Sequence, residues 1–296
     1  MTPPDRPAAG VAFHSAALIS FVAMDSAIKA AVQALPVAVV LWARFAFHLA
    51  LVTAILAARG RSLPPRTRAP GLQAVRSLCL GAANLTFSAA LIHVPLAEAT
   101  AIGFVSPLLT TLLAARVLGE RVGWRRWTGL AIGFAGVVVI LRPGFGVTHP
   151  AALLVLATAA LFAVYQVLTR RLAGVDDSET TIFHTAVAAL GLSSLALPFA
   201  WTPPSLGQWA VLALIGAIGG GGHFLLIEAF ARAPASLLAP LAYTQMLWAT
   251  LAGWLLFGEW PDLAAILGGI IVVGGGLFVI LGEDRAKGMD RDGRRP

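Results

Sequence analysis

Apolar runs of near-constant length, each cut off by proline, glycine or arginine, repeat along the chain from about residue 11 to residue 281. A helix needs about 20 mostly apolar residues to cross a bilayer core. Ten segments meet that pattern: 11–32, 37–58, 71–92, 96–117, 126–142, 150–170, 180–199, 207–230, 236–257 and 263–281. Leu35-Pro36, Pro64-Pro65, Val94-Pro95, Arg142-Pro143-Gly144, Pro203-Pro204 and Ala233-Pro234 mark the breaks between them. The connections are too short for another domain. The expectation is an all-α integral membrane protein with ten transmembrane helices.

The order of residues repeats as well. Pro95 aligns with Pro234, Gly119 with Gly258, Glu120 with Glu259, Gly129 with Gly268 and Gly136 with Gly275, all at one spacing. Asn84 meets His223 in the same frame. One residue further apart, AMDSAIK (23–29) faces AVYQVLT (163–169), and Arg44 faces His184. The chain therefore reads as two five-helix units, 11–142 and 150–282, followed by a basic tail, 283–296. Five is odd, so the two units enter the membrane with opposite topology. Such inverted repeats are a transporter pattern, with the binding site between the halves near mid-membrane.

Cations fix the expected orientation. With the N-terminus inside, the cytoplasmic segments hold Arg6, the group Arg59, Arg61, Arg66, Arg68 and Arg76, the group Arg116, Arg121, Arg125 and Arg126, then Arg170, Arg171, Arg232 and the tail. Only Lys29 and Arg142 fall near the outer side, and Arg44 lies within a span. That asymmetry predicts both termini in the cytoplasm of a bacterial cell, the chain sitting in its inner membrane. MTPPDRPAAG lacks a basic n-region, so no removable signal peptide is expected.

Composition agrees. The 296 residues are 58% hydrophobic and 12% charged, with mean hydropathy +0.83, whereas soluble domains carry about 25% charged residues. The net charge of +7 does not point to nucleic acid, because the arginines sit in short loops between spans. A single cysteine, Cys79, excludes a disulfide framework and a cysteine-based metal cage. HExxH, P-loop, GxSxG and clustered Cys/His signatures are absent, which argues against a membrane-embedded enzyme. No nucleotide-binding domain or cofactor motif is present. A purely structural subunit would instead pair all its buried charges with one another.

AMDSAIK (23–29), the stretch from Val94 to Gly144 and the stretch from Ala233 to Asp262 resemble the drug/metabolite transporter superfamily, in its EamA-type ten-span branch. The resemblance covers about 11–282 and departs only mildly: Leu96 stands where Ala235 stands in the second half. It implies a transporter. Related sequences are assigned to export of amino acids and other metabolites, and to uptake of riboflavin or S-adenosylmethionine, so the resemblance leaves the substrate open.

The candidate site residues are the polar and aromatic groups inside the spans. A charge near mid-bilayer costs roughly 2.5–3.5 kcal/mol, so each needs a reason to be there. Asp25 and Lys29 share a helix face at i,i+4; they either neutralise each other or line the outer half of a cavity, where Asp25 meets an amine and Lys29 a carboxylate. Arg44 is too deep to reach the interface. It either closes a network with Asp25 or binds a carboxylate, phosphate or planar ring. His184, its counterpart in the second half, and His223 are candidate proton carriers. GAIGGGGHF (216–224) either packs tightly or bends at Gly219 and Gly220 between states. Asn84 and His223 are expected at the interface of the halves. Glu228 is a gate or proton acceptor, or the i,i+4 partner of Arg232. Glu98 favours a helix N-terminus, while Glu120 and Glu259 follow helix-ending glycines and either begin the next element or bind exposed amides. Trp42, Phe104, Tyr165, Tyr243 and Trp248, with Gln245, are candidates to stack on and orient a flat ligand. Pro107 and Pro240 are expected to kink their helices. Trp124, Trp127, Trp201, Trp209 and Trp260 read as interfacial anchors. A cavity of both signs suits zwitterions, amino acids first. The expected partners are a small-molecule substrate, lipid and possible coupling protons, in a monomer or weak dimer.

Overall fold

The computed structural model describes residues 7–117, 124–142, 149–172, 175–233 and 238–291. All its regular elements are helical. They are α1 (Pro7–Val32), α2 (Val37–Ala58), α3 (Pro70–Ala90), α4 (Leu96–Gly103), α5 (Ser106–Val117), α6 (Trp124–Leu141), α7 (Ala152–Leu172), α8 (Ser178–Ala200) and α9 (Leu206–Arg232). A 3₁₀ turn (Ala239–Tyr243), α10 (Thr244–Phe257) and α11 (Leu263–Arg291) follow.

Local chemistry sets the boundaries. Pro36 and Pro95 stand at the N-caps of α2 and α4, where no backbone donor is needed. Asp177 caps α8 by accepting from the Thr180 amide at 2.7 Å, and Ser205 with Gln208 forms a reciprocal capping box on α9. Gly258 ends α10 at φ +67°, a backbone state that favours glycine.

Among the described residues, five helical stretches are long and apolar enough to cross a membrane: Ala8–Val32, Val37–Ala58, Ala152–Thr169, Glu179–Ala200 and Leu206–Leu226. Shorter apolar helical stretches run over Leu96–Thr110, Trp127–Leu141, Leu241–Phe257 and Leu263–Phe278. Their outward faces carry bare apolar side chains, such as Phe199 at 92% exposure, as lipid-facing residues should.

The segment expected as a fourth span, 96–117, is two helices. Pro107 lacks the N–H that would bond the Gly103 carbonyl, and α4 ends at Gly103. The expected kink is thus a break, turned through Phe104 and Val105. The ninth segment likewise opens with the 3₁₀ turn before α10 begins. Glu120, Pro234 and Ala235 lie outside the described residues.

The helices pack in a definite pattern. α1 lies on α9 and α10, α3 on α7 and α8, α2 on α8 and α9, α5 on α7, and α6 on α11. Glycines let α6 and α11 touch backbone to backbone. A Cβ on Gly136 would lie 2.7 Å from the Gly268 carbonyl oxygen, and one on Gly275 would lie 3.0 Å from that of Gly129. Small residues serve helix association in lipid this way.

Candidate functional site

Buried polar groups gather where α1, α2, α3 and α9 meet. Arg44, on α2 and 6% exposed, donates from Nη1 to the Asn84 Oδ1 of α3 at 2.7 Å. Asn84 is held in turn by its own donation to the Leu80 carbonyl at 2.8 Å. Asp25, half-buried on α1, acts on Arg44 electrostatically. Arg44 bonds Asn84 and not Asp25, and its Nε has no hydrogen-bond partner among the described residues. The His223 ring of α9 lies 5.1 Å from Phe21 and 6.0 Å from His48, and both histidines feel the Arg44 charge.

Asp25, Arg44, Asn84, His223 and Gly219 are thus brought together. A Cβ on Gly219 would lie 2.9 Å from Met24 Sδ and 4.0 Å from Arg44 Nε, so the glycine keeps α9 close to the guanidinium. α9 is one continuous helix through the glycine run, and Cβ atoms on Gly216, Gly219, Gly220 and Gly222 would each lie under 3.0 Å from a neighbouring side chain. His48 was missed. It stands four residues after Arg44, on the same helical face, and that spacing was the available signal.

Lys29 belongs elsewhere. Its ammonium pairs with Glu259 Oε1 at 2.7 Å and donates to the Val94 carbonyl at 2.9 Å. The other Glu259 oxygen accepts from the Leu96 amide, at the N-terminus of α4, at 3.2 Å. Neither mutual neutralisation with Asp25 nor a shared cavity describes it. Lys29 fastens α1 to the α3–α4 and α10–α11 connections, because Glu259 supplies a nearer counter-charge. Beside it, Arg142 pairs with Asp262.

A second buried corner forms between α3, α7 and α8. Arg76, 3% exposed, donates from Nε to Thr169 Oγ1 at 2.7 Å, from Nη1 to Thr185 Oγ1 at 2.8 Å and from Nη2 to the Tyr165 hydroxyl at 2.9 Å. Its guanidinium also lies 4.4 Å over the Tyr165 ring. The sequence counts Arg76 with the cytoplasmic cations although it falls within the 71–92 segment; the structure places it on α3, buried against α7 and α8. Tyr165 therefore serves this corner and not the Arg44 cluster.

The remaining candidates are dispersed. His184 Nδ1 is 2.9 Å from the Thr180 carbonyl oxygen, and its ring meets Phe183 edge-on. Trp42 packs edge-on against Trp201. Glu228 pairs with Arg232 on its own helix, the blander of its two readings. Tyr243 lies against Phe104 and seats its hydroxyl where a side chain at position 276 would stand. Gln245 is half-buried in the first turn of α10, and Trp248 is 37% exposed. None of these side chains joins Arg44, because each lies on another helix, face or turn.

The chain matches the EamA-like transporter family twice, over residues 8–142 and 149–281. It is 29% identical over 221 residues to the S-adenosylmethionine uptake transporter of Rickettsia bellii, covering 75% of this chain and 76% of that protein. It is 31% identical to a riboflavin transporter of Rhizobium johnstonii, over 74% of this chain and 73% of the relative. The pseudopaline exporter of Pseudomonas aeruginosa strain UCBPP-PA14 is 29% identical over 271 residues, 89% of this chain and 93% of that one. A crystal structure of a protein at 25% identity superposes with TM-score 0.63, covering 92% of this chain and 98% of the other. By its sequence, this chain belongs to the EamA-like transporter family of integral membrane proteins.

Proposed function

We propose that the protein is a secondary transporter of a small metabolite carrying an amino-acid head, one amine and one carboxylate, which it moves across the bacterial inner membrane by alternating access. One observation carries this reading. Asp25 and Arg44 lie in one buried cluster as opposite charges that make no direct hydrogen bond, and Arg44 Nε is left without an acceptor. The carboxylate of the substrate takes the guanidinium, and its amine takes Asp25. Amino acids and S-adenosylmethionine share this head, and relatives named for uptake of the latter favour it. His48 and His223 border the cluster.

The two-half architecture belongs to the same proposal: ten spans in two inverted units, both termini cytoplasmic, one chain forming the working unit. Three observations support it. The family pattern matches twice. The packing of α1 on α9 corresponds to that of α7 on α3 when the units are exchanged. The contacts of Gly136 with Gly268 and of Gly275 with Gly129 exchange in the same way.

The test is uptake into proteoliposomes of labelled amino acids, S-adenosylmethionine and riboflavin, with and without a pH gradient. Saturable uptake of an amino-acid-headed compound is expected, reduced at least tenfold in kcat/KM by Arg44→Gln and by Asp25→Asn in folded protein. Uptake of riboflavin alone, indifferent to both substitutions, sinks the reading.

A further inference from the structure

Arg76 is a buried cation that forms no ion pair among the described residues. Its three acceptors, Thr169, Thr185 and Tyr165, are neutral hydroxyls. The carboxylate of Asp176, at the mouth of the same corner, is occupied by Thr67, the Arg68 amide and Gln73. Holding an ion out of water without a counter-charge costs several kcal/mol. A neutral donor would tie α3 to α7 and α8 at lower cost.

Two neighbours are also incomplete. Gln73 Oε1 and Ser77 Oγ, on residues 1% and 0% exposed, have no hydrogen-bond partner among the described residues. Buried polar atoms ordinarily find partners, and two unmatched atoms within two turns of a cation that meets hydroxyls and the Tyr165 ring but no carboxylate mark a place built for something further. α3 as a whole is unusual. At 21 residues it is long enough to span, yet it is not among the stretches apolar enough to do so. Gln73, Ser77, Asn84 and Ser88 fall at helical spacing on one side of it, and all but Asn84 are buried. That side begins at the Arg76 corner and ends at Asn84, the residue that holds Arg44. Eight residues separate Arg76 from Asn84, about 12 Å along the axis.

We propose that Arg76 is a second carboxylate-binding station, which takes the acidic end of the substrate as it passes along the polar side of α3 to or from Arg44. The two stations differ in kind. Arg44 has Asp25 beside it and receives a zwitterionic head, whereas Arg76 faces only hydroxyls and receives the carboxylate alone. The identity of the substrate rests on the reading above; the anion site does not.

Acetate is the simplest probe. Thermal unfolding of the purified full-length protein is followed against sodium acetate, with sodium chloride at matched ionic strength, for wild type, Arg76→Gln, Arg44→Gln and Thr185→Val. A saturable acetate stabilisation is expected in wild type and in Arg44→Gln, with the apparent affinity reduced about tenfold or more in Arg76→Gln, the effect of losing one charged hydrogen-bonding partner. Thr185→Val removes a competing neutral acceptor and leaves the cation, so it should bind acetate a few-fold more tightly and serves even if Arg76→Gln does not fold. Acetate affinity unchanged by Arg76→Gln, or unchanged or weakened in Thr185→Val, overturns the proposal and leaves Arg76 as a brace whose shell the hydroxyls complete. An acetate effect that depends on Arg76, in a protein that takes up no amino-acid-headed compound, keeps the station and discards the substrate reading.

Discussion

Lys29 shows how one side chain can be placed correctly in depth and wrongly in company. Its position near a span end was readable, and Glu259 was readable as a binder of exposed amides. Their union at 2.7 Å was not, because they lie 230 positions apart in a chain with no local signal joining them. Removing Glu259 strands both the ammonium and the Leu96 amide. Breaking one side of a buried pair costs about 3–5 kcal/mol. Glu259 is 27% exposed, so we expect Glu259→Ala to lose about 1–3 kcal/mol, read as a lower melting temperature in detergent. Glu259→Gln, which keeps an acceptor for Leu96, should lose less. Asp262 adds an acid-dependent part in the connection before α11. The Ala265 amide at 2.8 Å and Arg142 hold its carboxyl below the ordinary aspartate range. Its folded pKa is depressed, so its contribution is complete above about pH 4 and is lost as pH falls through the folded value. Melting curves of wild type and Asp262→Asn should therefore converge as the medium is acidified below that point. His48 and Arg76 were missed for different reasons: a lone histidine is inconspicuous in an apolar run, and an arginine in the first turns of a span counts with the cations of the loop before it.

Helix existence was legible at most positions, because a span-length apolar run has few alternatives in lipid. Interruptions were less so. Pro107 announces a disturbance, and whether it bends or breaks a helix depends on what satisfies the freed carbonyls, which only the packed structure shows. The glycines of α9 separate two roles that sequence alone merges. A Cβ at position 216 would lie 2.6 Å from Phe47 Cβ and 3.2 Å from the Arg44 carbonyl oxygen, neither of which can swing away. A Cβ at position 221 meets nothing within 4 Å. Gly216→Ala should push α9 from α2 and destabilise the protein, while Gly221→Ala should be neutral or stabilising by up to about 1 kcal/mol through helix propensity. Thermal melts of the two variants decide it; equal losses would mean that the run is needed for bending and not for close approach.

At the level of the whole molecule, the duplicated pattern was legible because matching glycines and prolines recur at one spacing. The orientation is testable through the single native cysteine. In a Cys79→Ala background, a cysteine at Ser62 should react with an impermeant maleimide only from the cytoplasmic side, and one at Thr202 only from the other. Both positions are exposed in connections between helices. Reaction of both from the same side would refute the alternation of spans. The seam of α6 and α11 has a further consequence for how the sequence can vary. Gly136 meets Gly268 and Gly129 meets Gly275, yet by alignment the counterpart of Gly136 is Gly275, and that of Gly129 is Gly268. The two contacts are therefore images of one another under exchange of the units, and they act as one joint. A methyl group at Gly136, Gly268 or Gly275 would press on the facing backbone, and a saturation library should find those three closed to alanine together.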